Sequence, residues 1–143
     1  VNPSDEFLEK IKDLNFDFYQ LYDVSPIRSK KIKDKYKIKI ISSLTISNKK
    51  DVDEFKKYSE ISDIILFDSK GYHKSKSFDH SLLNNIPIEL NKMIAGNIQI
   101  DDIHNLKYKD YIIDLSGALE IEEGKKDINK IDKLLNLTVK YET

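Results

Sequence analysis

The 143-residue sequence contains no cysteine and no tryptophan, only four glycines and three prolines, and no long apolar run. Without cysteine, these residues can form no disulfide, no thiolate metal site and no thiol nucleophile. The few glycines and prolines exclude collagen-like and low-complexity classes. No stretch approaches the roughly 18 apolar residues of a membrane-spanning helix, so no membrane association is expected.

Charge is nearly balanced, with 24 Lys and Arg against 25 Asp and Glu and a formal net charge of −1. Apolar residues make up 39% and charged residues 34% of the chain, which indicates a folded domain with a charged surface. No charged-then-apolar leader is present, so we expect a cytoplasmic protein. The sequence begins at Val1 and not at a methionine, which processing or a shortened gene would explain.

A basic run between Arg28 and Lys39 is the only candidate for a nucleic-acid surface in the sequence. Asp34 interrupts the run, and no glycine or aromatic ladder accompanies it. A solvated helix face followed by a polar strand edge is the favoured interpretation, because charge runs usually face water. We therefore expect no nucleic-acid partner.

Segments with helical spacing alternate with short apolar segments typical of strands. We predict helices from the Asn2-Pro3 start to residue 14, over 26–36 and 48–62, after a Ser77 cap, over 101–106, and after an Asp127 cap. We predict strands at 16–22, 38–46, 63–69, 92–97 and 110–115, with a stub at 1–2. Such alternation implies a parallel sheet, either an open doubly wound sheet or an eight-stranded barrel.

The carboxyl ends of the strands form the functional face in both architectures. Asp68 ends the apolar run DIILFDS, where partial burial suits a carboxyl group to general-acid work. It could instead cap the following turn or pair with Lys70 or Lys74. Asp114 lies near the end of the run DYIIDL, where a charge needs a reason, and pairing with a polar group of a neighbouring strand would be one.

Two turns of small residues lie in the last two strand-to-helix connections, Ala95-Gly96-Asn97 and Ser116-Gly117-Ala118. Backbone N–H groups can approach a phosphate closely in such turns, and barrels often bind phosphate in the loops after the last two strands. No dinucleotide fingerprint or Walker-type loop is present. His73, His80 and His104 lack metal-ligand spacing and are expected on exposed loops or helices, so no metal site is predicted.

Several segments in a fixed order resemble the phosphoribosylanthranilate isomerase family. They are Ile65-Leu66-Phe67-Asp68-Ser69, Ser77-Phe78-Asp79-His80, Met93-Ile94-Ala95-Gly96-Asn97, Ile113-Asp114-Leu115-Ser116 with Glu120, and Gly124-Lys125-Lys126-Asp127 with Lys130-Ile131. The family's segments read approximately L-L-D-S, F-D-W, L-A-G-G, V-D-V-S-S-G-V-E and G-x-K-D-x-x-K-I. The match runs from Ile65 to about Leu135, and Tyr19-Gln20-Leu21-Tyr22 resembles the family's V-Q-L-H strand more loosely.

The resemblance implies a (β/α)₈ barrel, of which this chain would carry about six units, from the third strand to the eighth helix. It implies an Amadori rearrangement of a phosphorylated aminoribose in tryptophan biosynthesis, without a cofactor. Asp68 would be the general acid, Asp114 and Tyr22 would contact substrate, and phosphate would bind at Gly96, Asn97, Ser116, Gly117 and Ala118. The family's catalytic cysteine and carboxylate-binding arginine would lie upstream of Val1, so we expect this chain alone to be inactive.

Three departures from the family pattern affect these expectations. Asn97 replaces the second glycine of A-G-G, Gly117-Ala118 alters the S-S-G turn, and Tyr22 replaces a histidine. The alternative hypothesis is a complete, non-catalytic module of flavodoxin-like or response-regulator-like type, which predicts an open sheet. No feature of the sequence specifies an oligomeric state.

Overall fold

Five parallel strands, arranged in the order in which they occur in the chain, form the main sheet. The structure is a computed structural model and describes residues 2–69, 77–105 and 110–138. The strands are β1 (Phe18–Tyr22), β2 (Lys39–Ile46), β3 (Ile64–Ser69), β4 (Lys92–Ile94) and β5 (Tyr111–Ile113). The α-helices are α1 (Asp5–Ile11), α2 (Pro26–Tyr36), α3 (Lys49–Asp53) and α4 (Ile128–Thr138).

Shorter elements complete the described chain. Five 3₁₀ helices lie at Lys12–Leu14, Glu54–Lys57, His80–Leu83, Ile100–Asn105 and Gly117–Leu119. A two-stranded antiparallel hairpin, β6 (Glu120–Glu122) and β7 (Lys125–Lys126), follows β5. Across the described ranges, no helix is both long enough and apolar enough to pass through a bilayer.

The strand order distinguishes the two architectures that the sequence left open. A flavodoxin-like sheet changes direction, with its first strand inside the sheet, whereas β1 to β5 proceed in one direction. Because crossovers between parallel strands are right-handed, an order without reversal places the connecting helices on one face. That arrangement is the wall of a barrel, so the flavodoxin-like alternative is wrong.

The two faces of the sheet have different compositions, because successive side chains of a strand point to opposite faces. The outer face carries the larger buried clusters, in which Ile40, Ile65 and Phe67 pack with residues of the helices, among them Ile32 and Val52. The inner face carries a smaller buried cluster, made of Ile41, Ile64, Leu66 and Ala95. β3 is buried along most of both faces, which explains its continuous apolar sequence.

Helix starts follow the capping chemistry of the sequence in two cases and depart from it in two. Ser25 accepts a hydrogen bond from Arg28 N at the start of α2, and Asp127, the predicted cap of the last helix, accepts one from Asn129 N. At α1 the capping residue is Ser4, which accepts from Phe7 N. The prediction that Asn2 starts this helix was wrong, because the Asn2 amide donates to the Asp23 carbonyl oxygen at 3.2 Å.

Further differences concern the length and type of helices. The segment predicted as one helix over 48–62 is α3 followed by a 3₁₀ turn, and it ends at Lys57. Asp79, and not Ser77, caps the next helix by accepting from Ser81 N. The 101–106 helix is the 3₁₀ helix Ile100–Asn105, and residue 106 lies outside the described ranges. Asn2 belongs to no strand, and Val1, the other residue of the predicted stub, is not described.

Ile65 tests the importance of the outer face of β3. Its side chain is fully buried, whereas Ile27 on α2 is 71% exposed. We expect Ile65→Val to lower the free energy of unfolding by about 1 kcal/mol through loss of one buried methyl group. Urea denaturation measures the change, with Ile27→Val as the matched control. Equal effects of the two substitutions would contradict the assignment of Ile65 to the core.

Candidate active site

A cavity of about 830 Å³ lies at the carboxyl ends of the parallel strands. Its lining includes all eight site residues predicted from the sequence, which are Tyr22, Asp68, Gly96, Asn97, Asp114, Ser116, Gly117 and Ala118. Asp23, Thr45, Ser47, Asp51, Ser69, Ala95 and Ile98 complete it. The topology therefore brings together residues that are up to 96 positions apart, from 22 to 118.

Sheet register places Asp68 and Asp114 at the same level of the cavity. Phe67 is opposite Ile94, and Ile94 is opposite Ile113. The next residues remain aligned, because Ala95 N donates to Phe67 O at 2.9 Å and Asp114 N donates to Ile94 O at 2.8 Å. β4 separates the two carboxylate-bearing strands, and two strand spacings amount to about 10 Å. A small substrate can therefore lie between the two carboxyl groups.

Both oxygens of the Asp68 carboxylate accept hydrogen bonds. Oδ2 accepts from the Tyr22 hydroxyl at 2.7 Å, and Oδ1 accepts from the backbone N–H of Ser69 at 2.7 Å. The second contact is the local cap that the sequence allowed as an alternative. Lys70 and Lys74, the other suggested partners, lie outside the described residues.

Tyr22 is the residue through which β1 contributes to the cavity. Its hydroxyl donates to Asp68 and accepts from the side-chain amide of Gln20 at 3.3 Å. Burial raises the pKa of Tyr22 to about 12, and the hydrogen bond and negative charge of Asp68 act in the same direction. Ser43 and Gln20 oppose the rise more weakly. The phenol consequently stays protonated across the neutral pH range.

Asp114 lies immediately after β5 and is half-buried. Burial raises the pKa of this carboxyl group above its ordinary value, and the nearby charge of Asp68 raises it further. The cation of Lys126 acts in the opposite direction. A carboxyl group with a raised pKa in a cavity is a common feature of sites that transfer protons.

The first small-residue turn depends on Gly96. Its φ angle is +95°, in the region that favours glycine, and a Cβ atom there would lie 2.8 Å from the Ser69 backbone nitrogen and side chain. Asn97 follows with a φ of 57°, a left-handed conformation that asparagine tolerates. The side-chain amide of Gln99 donates to the Asn97 backbone oxygen and to Asn97 Oδ1. The turn therefore brings its backbone against β3 at the edge of the cavity.

The second small-residue turn is anchored by Lys126, a residue that the sequence prediction of the site did not include. Its Nζ donates to the backbone oxygen of Ser116 at 3.0 Å and to Ser116 Oγ at 3.2 Å. It also forms an ion pair with Glu120 at 2.7 Å. The sequence shows this lysine in the G-x-K-D segment, but the separation of ten residues from Ser116 does not indicate a contact between them.

The charge of the cavity lining is one-sided. Four aspartates line it, Asp23, Asp51, Asp68 and Asp114, and no lysine or arginine does so in the described part of the chain. Asp51 stabilises the start of α3, since its Oδ2 accepts hydrogen bonds from the backbone N–H groups of Ser47 and Asn48. Any phosphate bound here would therefore depend on backbone N–H groups and on Lys126 beside the second turn.

His80 is the one histidine whose side chain the structure describes, and it does not line the cavity. His80 lies on a 3₁₀ helix and packs edge-on against Phe78 at 4.8 Å, so it is half-buried where an exposed position was expected. Burial lowers the pKa of His80. His73 and the side chain of His104 are not described. Over residues 2–69, 77–105 and 110–138, no group of three or more His, Cys, Asp or Glu is arranged to hold a metal ion.

Gly96 and Gly117 offer a matched pair of substitutions. A Cβ atom at Gly96 would clash with Ser69, whereas a Cβ atom at Gly117 would meet no atom within 4 Å. We expect Gly96→Ala to lower the free energy of unfolding by at least about 1 kcal/mol, and Gly117→Ala to change it by less than about 0.5 kcal/mol. Thermal and urea denaturation measure both. A neutral Gly96→Ala variant would contradict the close approach of this turn to β3.

The raised pKa of Asp114 predicts a pH-dependent stability. The folded state disfavours the charged carboxylate, so the penalty is present at neutral pH and disappears below the ordinary pKa of 3.8. We expect Asp114→Asn to raise the free energy of unfolding at pH 7, with a gain that shrinks as the pH falls towards 3.8. Urea denaturation at several pH values tests this. The exposed Asp132→Asn serves as the control, and a gain independent of pH would contradict the prediction.

Comparison with known proteins shows which family this chain resembles. The family model for N-(5'-phosphoribosyl)anthranilate (PRA) isomerase matches residues 1–137. The N-(5'-phosphoribosyl)anthranilate isomerase of Petrotoga mobilis is 30% identical over 146 residues, covering 95% of this chain and 68% of the relative. That of Campylobacter jejuni is 30% identical over 135 residues, covering 92% and 65%. The chain thus spans about two thirds of the length of these curated relatives.

Solved structures give the same result for the fold. The phosphoribosyl anthranilate isomerase of Thermus thermophilus matches with a TM-score of 0.77 at 15% identity, covering 98% of this chain and 69% of that one. A phosphoribosyl anthranilate isomerase in complex with reduced 1-(o-carboxyphenylamino)-1-deoxyribulose 5-phosphate matches with a TM-score of 0.74 at 20% identity, covering 92% and 64%. The fold is thus part of the (β/α)₈ barrel that the family resemblance implied. Because the family model covers nearly the whole chain, the protein belongs to the N-(5'-phosphoribosyl)anthranilate isomerase family.

Proposed function

We propose that the chain serves the isomerisation of N-(5'-phosphoribosyl)anthranilate, an Amadori rearrangement in tryptophan biosynthesis. The observation that carries this proposal is the cavity at the strand ends, where Asp68 and Asp114 lie beside two small-residue turns. A phosphorylated aminoribose needs a proton donor at its ring oxygen and an anchor for its phosphate. The cavity offers both within one chain.

Asp68 acts as the general acid in this proposal. Its protonated carboxyl group gives its proton to the furanose ring oxygen while the bond between that oxygen and C1 breaks. The lone pair of the anthranilate nitrogen forms the C1=N bond of a Schiff base. A general base then removes the proton from C2. The resulting enolamine becomes the C2 ketone when its C2 hydroxyl loses a proton and C1 gains one. All steps are proton transfers and bond rearrangements within one substrate, so the proposal requires no cofactor.

The phosphate is held at the two small-residue turns of the cavity in this proposal. Gly96 and Asn97 supply the first turn, and Ser116, Gly117 and Ala118 supply the second. Backbone N–H groups reach a phosphate where side chains are small, and anchoring a remote group orients the reacting carbon atoms. Asp114, level with Asp68, then orients the sugar between acid and phosphate site.

The remaining parts of the catalytic site come, in the same proposal, from strand-helix units that pair with the exposed edges of this sheet. An apolar groove of about 290 Å³ runs beside β1 and is lined by Phe7, Phe16 and Phe18, among others. Ile128 and Leu135 of α4 are 72% and 56% exposed. Both surfaces suit packing against further units of the barrel, which would add the base and a cation for the anthranilate carboxylate. A cytoplasmic location belongs to the same proposal.

A reconstitution experiment tests the proposed activity. The chain is assayed alone and after fusion to the amino-terminal units of a relative, with substrate and product separated by chromatography. We expect isomerisation only in the completed protein. Turnover by the isolated chain would overturn the proposal that the base lies outside it, and no turnover by a folded fusion would overturn the proposed reaction.

Substitution of Asp68 in the completed protein tests the acid. We expect Asp68→Ala to reduce kcat by roughly 10²- to 10⁴-fold, the range typical of a lost general acid. Asp132→Asn, a change of an exposed carboxylate on α4, is the control and should leave kcat unchanged. Normal turnover by the Asp68→Ala protein would show that another group donates the proton.

A further inference from the structure

We propose that Tyr22 is a positioning residue that holds the Asp68 carboxyl group by a permanent hydrogen bond, in place of the substrate contact expected for it from the sequence. The inference rests on the proposed function, because it assigns Tyr22 a task in the reaction attributed to Asp68. Its basis is the 2.7 Å contact between the Tyr22 hydroxyl and Asp68 Oδ2. The contact joins β1 to β3 across the intervening strand.

Register explains why a tyrosine can make this contact. Tyr22 is opposite Ser43, and Ser43 is opposite Leu66, so Asp68 lies two residues further along its strand. The phenol must therefore extend both across β2 and towards the carboxyl ends of the strands. The small side chain of Ser43 leaves space on the inner face for the ring to cross, and a shorter polar side chain on β1 would have a longer gap to span.

Hydrogen-bond polarity fixes the direction of the contact. A phenol has one proton, an ionised carboxylate can only accept, and the Gln20 amide approaches the phenol oxygen as a donor at 3.3 Å. The shorter bond goes to Asp68, so the phenol proton points at Oδ2. The backbone N–H of Ser69 donates to the other oxygen, Asp68 Oδ1. The carboxyl group is thus held at both oxygens and cannot rotate freely in the cavity.

A phenol suits this task because it remains protonated. The raised pKa of Tyr22, about 12, keeps it a donor throughout the neutral range. When Asp68 gives up its proton to substrate, negative charge develops on the carboxylate, and a hydrogen bond to a charged acceptor is stronger than one to a neutral acceptor. The bond therefore strengthens during proton transfer. It contributes to the chemical step more than to substrate binding.

Kinetics of the completed protein separate positioning from substrate contact. We expect Tyr22→Phe to lower kcat by roughly 10- to 100-fold, the effect of one hydrogen bond to a charged group, with little change in KM. Tyr22→His should recover part of the loss, because an imidazole N–H can also donate to a carboxylate. An unchanged kcat with a raised KM would overturn the proposal and favour the substrate contact.

Tyr36 provides the matched control. Its hydroxyl also donates to a carboxylate oxygen, Glu9 Oε1 at 2.9 Å, but Glu9 is exposed and the pair lies outside the cavity. Tyr36→Phe removes the same atom from the same kind of pair and should leave kcat unchanged. An equal loss of kcat in Tyr36→Phe would attribute the effect to general destabilisation and overturn the positioning role.

A spectroscopic measurement on the chain itself separates this inference from the proposed reaction. The chain is labelled with ¹³Cζ-tyrosine, and the NMR resonance of Tyr22 is assigned as the one that Tyr22→Phe removes. We expect Asp68→Asn to shift this resonance and to leave the resonance of Tyr36 unchanged. If the Tyr22 resonance shifts but the completed protein has no isomerase activity, the contact is supported and the proposed reaction is wrong. An unshifted Tyr22 resonance would overturn the contact whatever the activity.

Discussion

The alignment of β3, β4 and β5 is the constraint on which the candidate site depends. Two backbone hydrogen bonds, from Ala95 N to Phe67 O and from Asp114 N to Ile94 O, continue the register one residue beyond the last strand pairs. A slip of one residue would turn every side chain of a strand to the opposite face. Asp68 or Asp114 would then face the outer helices. The cavity and its pair of carboxyl groups therefore exist only in this register.

Side-chain size decides where the barrel interior is filled and where it is open. Towards the amino ends of the strands, Ile41, Ile64 and Leu66 form the buried inner cluster. At the carboxyl ends the inner positions are Thr45 and Ala95, which line the cavity together with Gly96 of the following turn. Gly96 cannot be enlarged without displacing Ser69. The same strands thus supply a packed core at one end and a binding volume at the other.

Strand positions and strand-end residues could be predicted from the sequence, because apolar β-branched runs and the polar residue that ends them are local signals. Helix type was less predictable: Val52 and Phe55, both buried and three residues apart, fit a 3₁₀ turn as well as an α-helix. The contacts of Tyr22 with Asp68 and of Lys126 with Ser116 depend on register and on the β6–β7 hairpin, respectively. No local pattern encodes such contacts, so they required the structure.

The charge of the cavity lining limits where the phosphate of the proposed substrate could bind. A phosphorylated substrate is repelled by a lining that contains four aspartates and, in the described ranges, no basic residue. Burial and the charge of Asp68 raise the pKa of Asp114, and the cation of Lys126 opposes that rise. Lys126, already paired with Glu120, adds a cation next to the second turn without entering the cavity. In the proposed reaction, the turns hold the phosphate while Asp68, at the carboxyl end of β3, donates the proton.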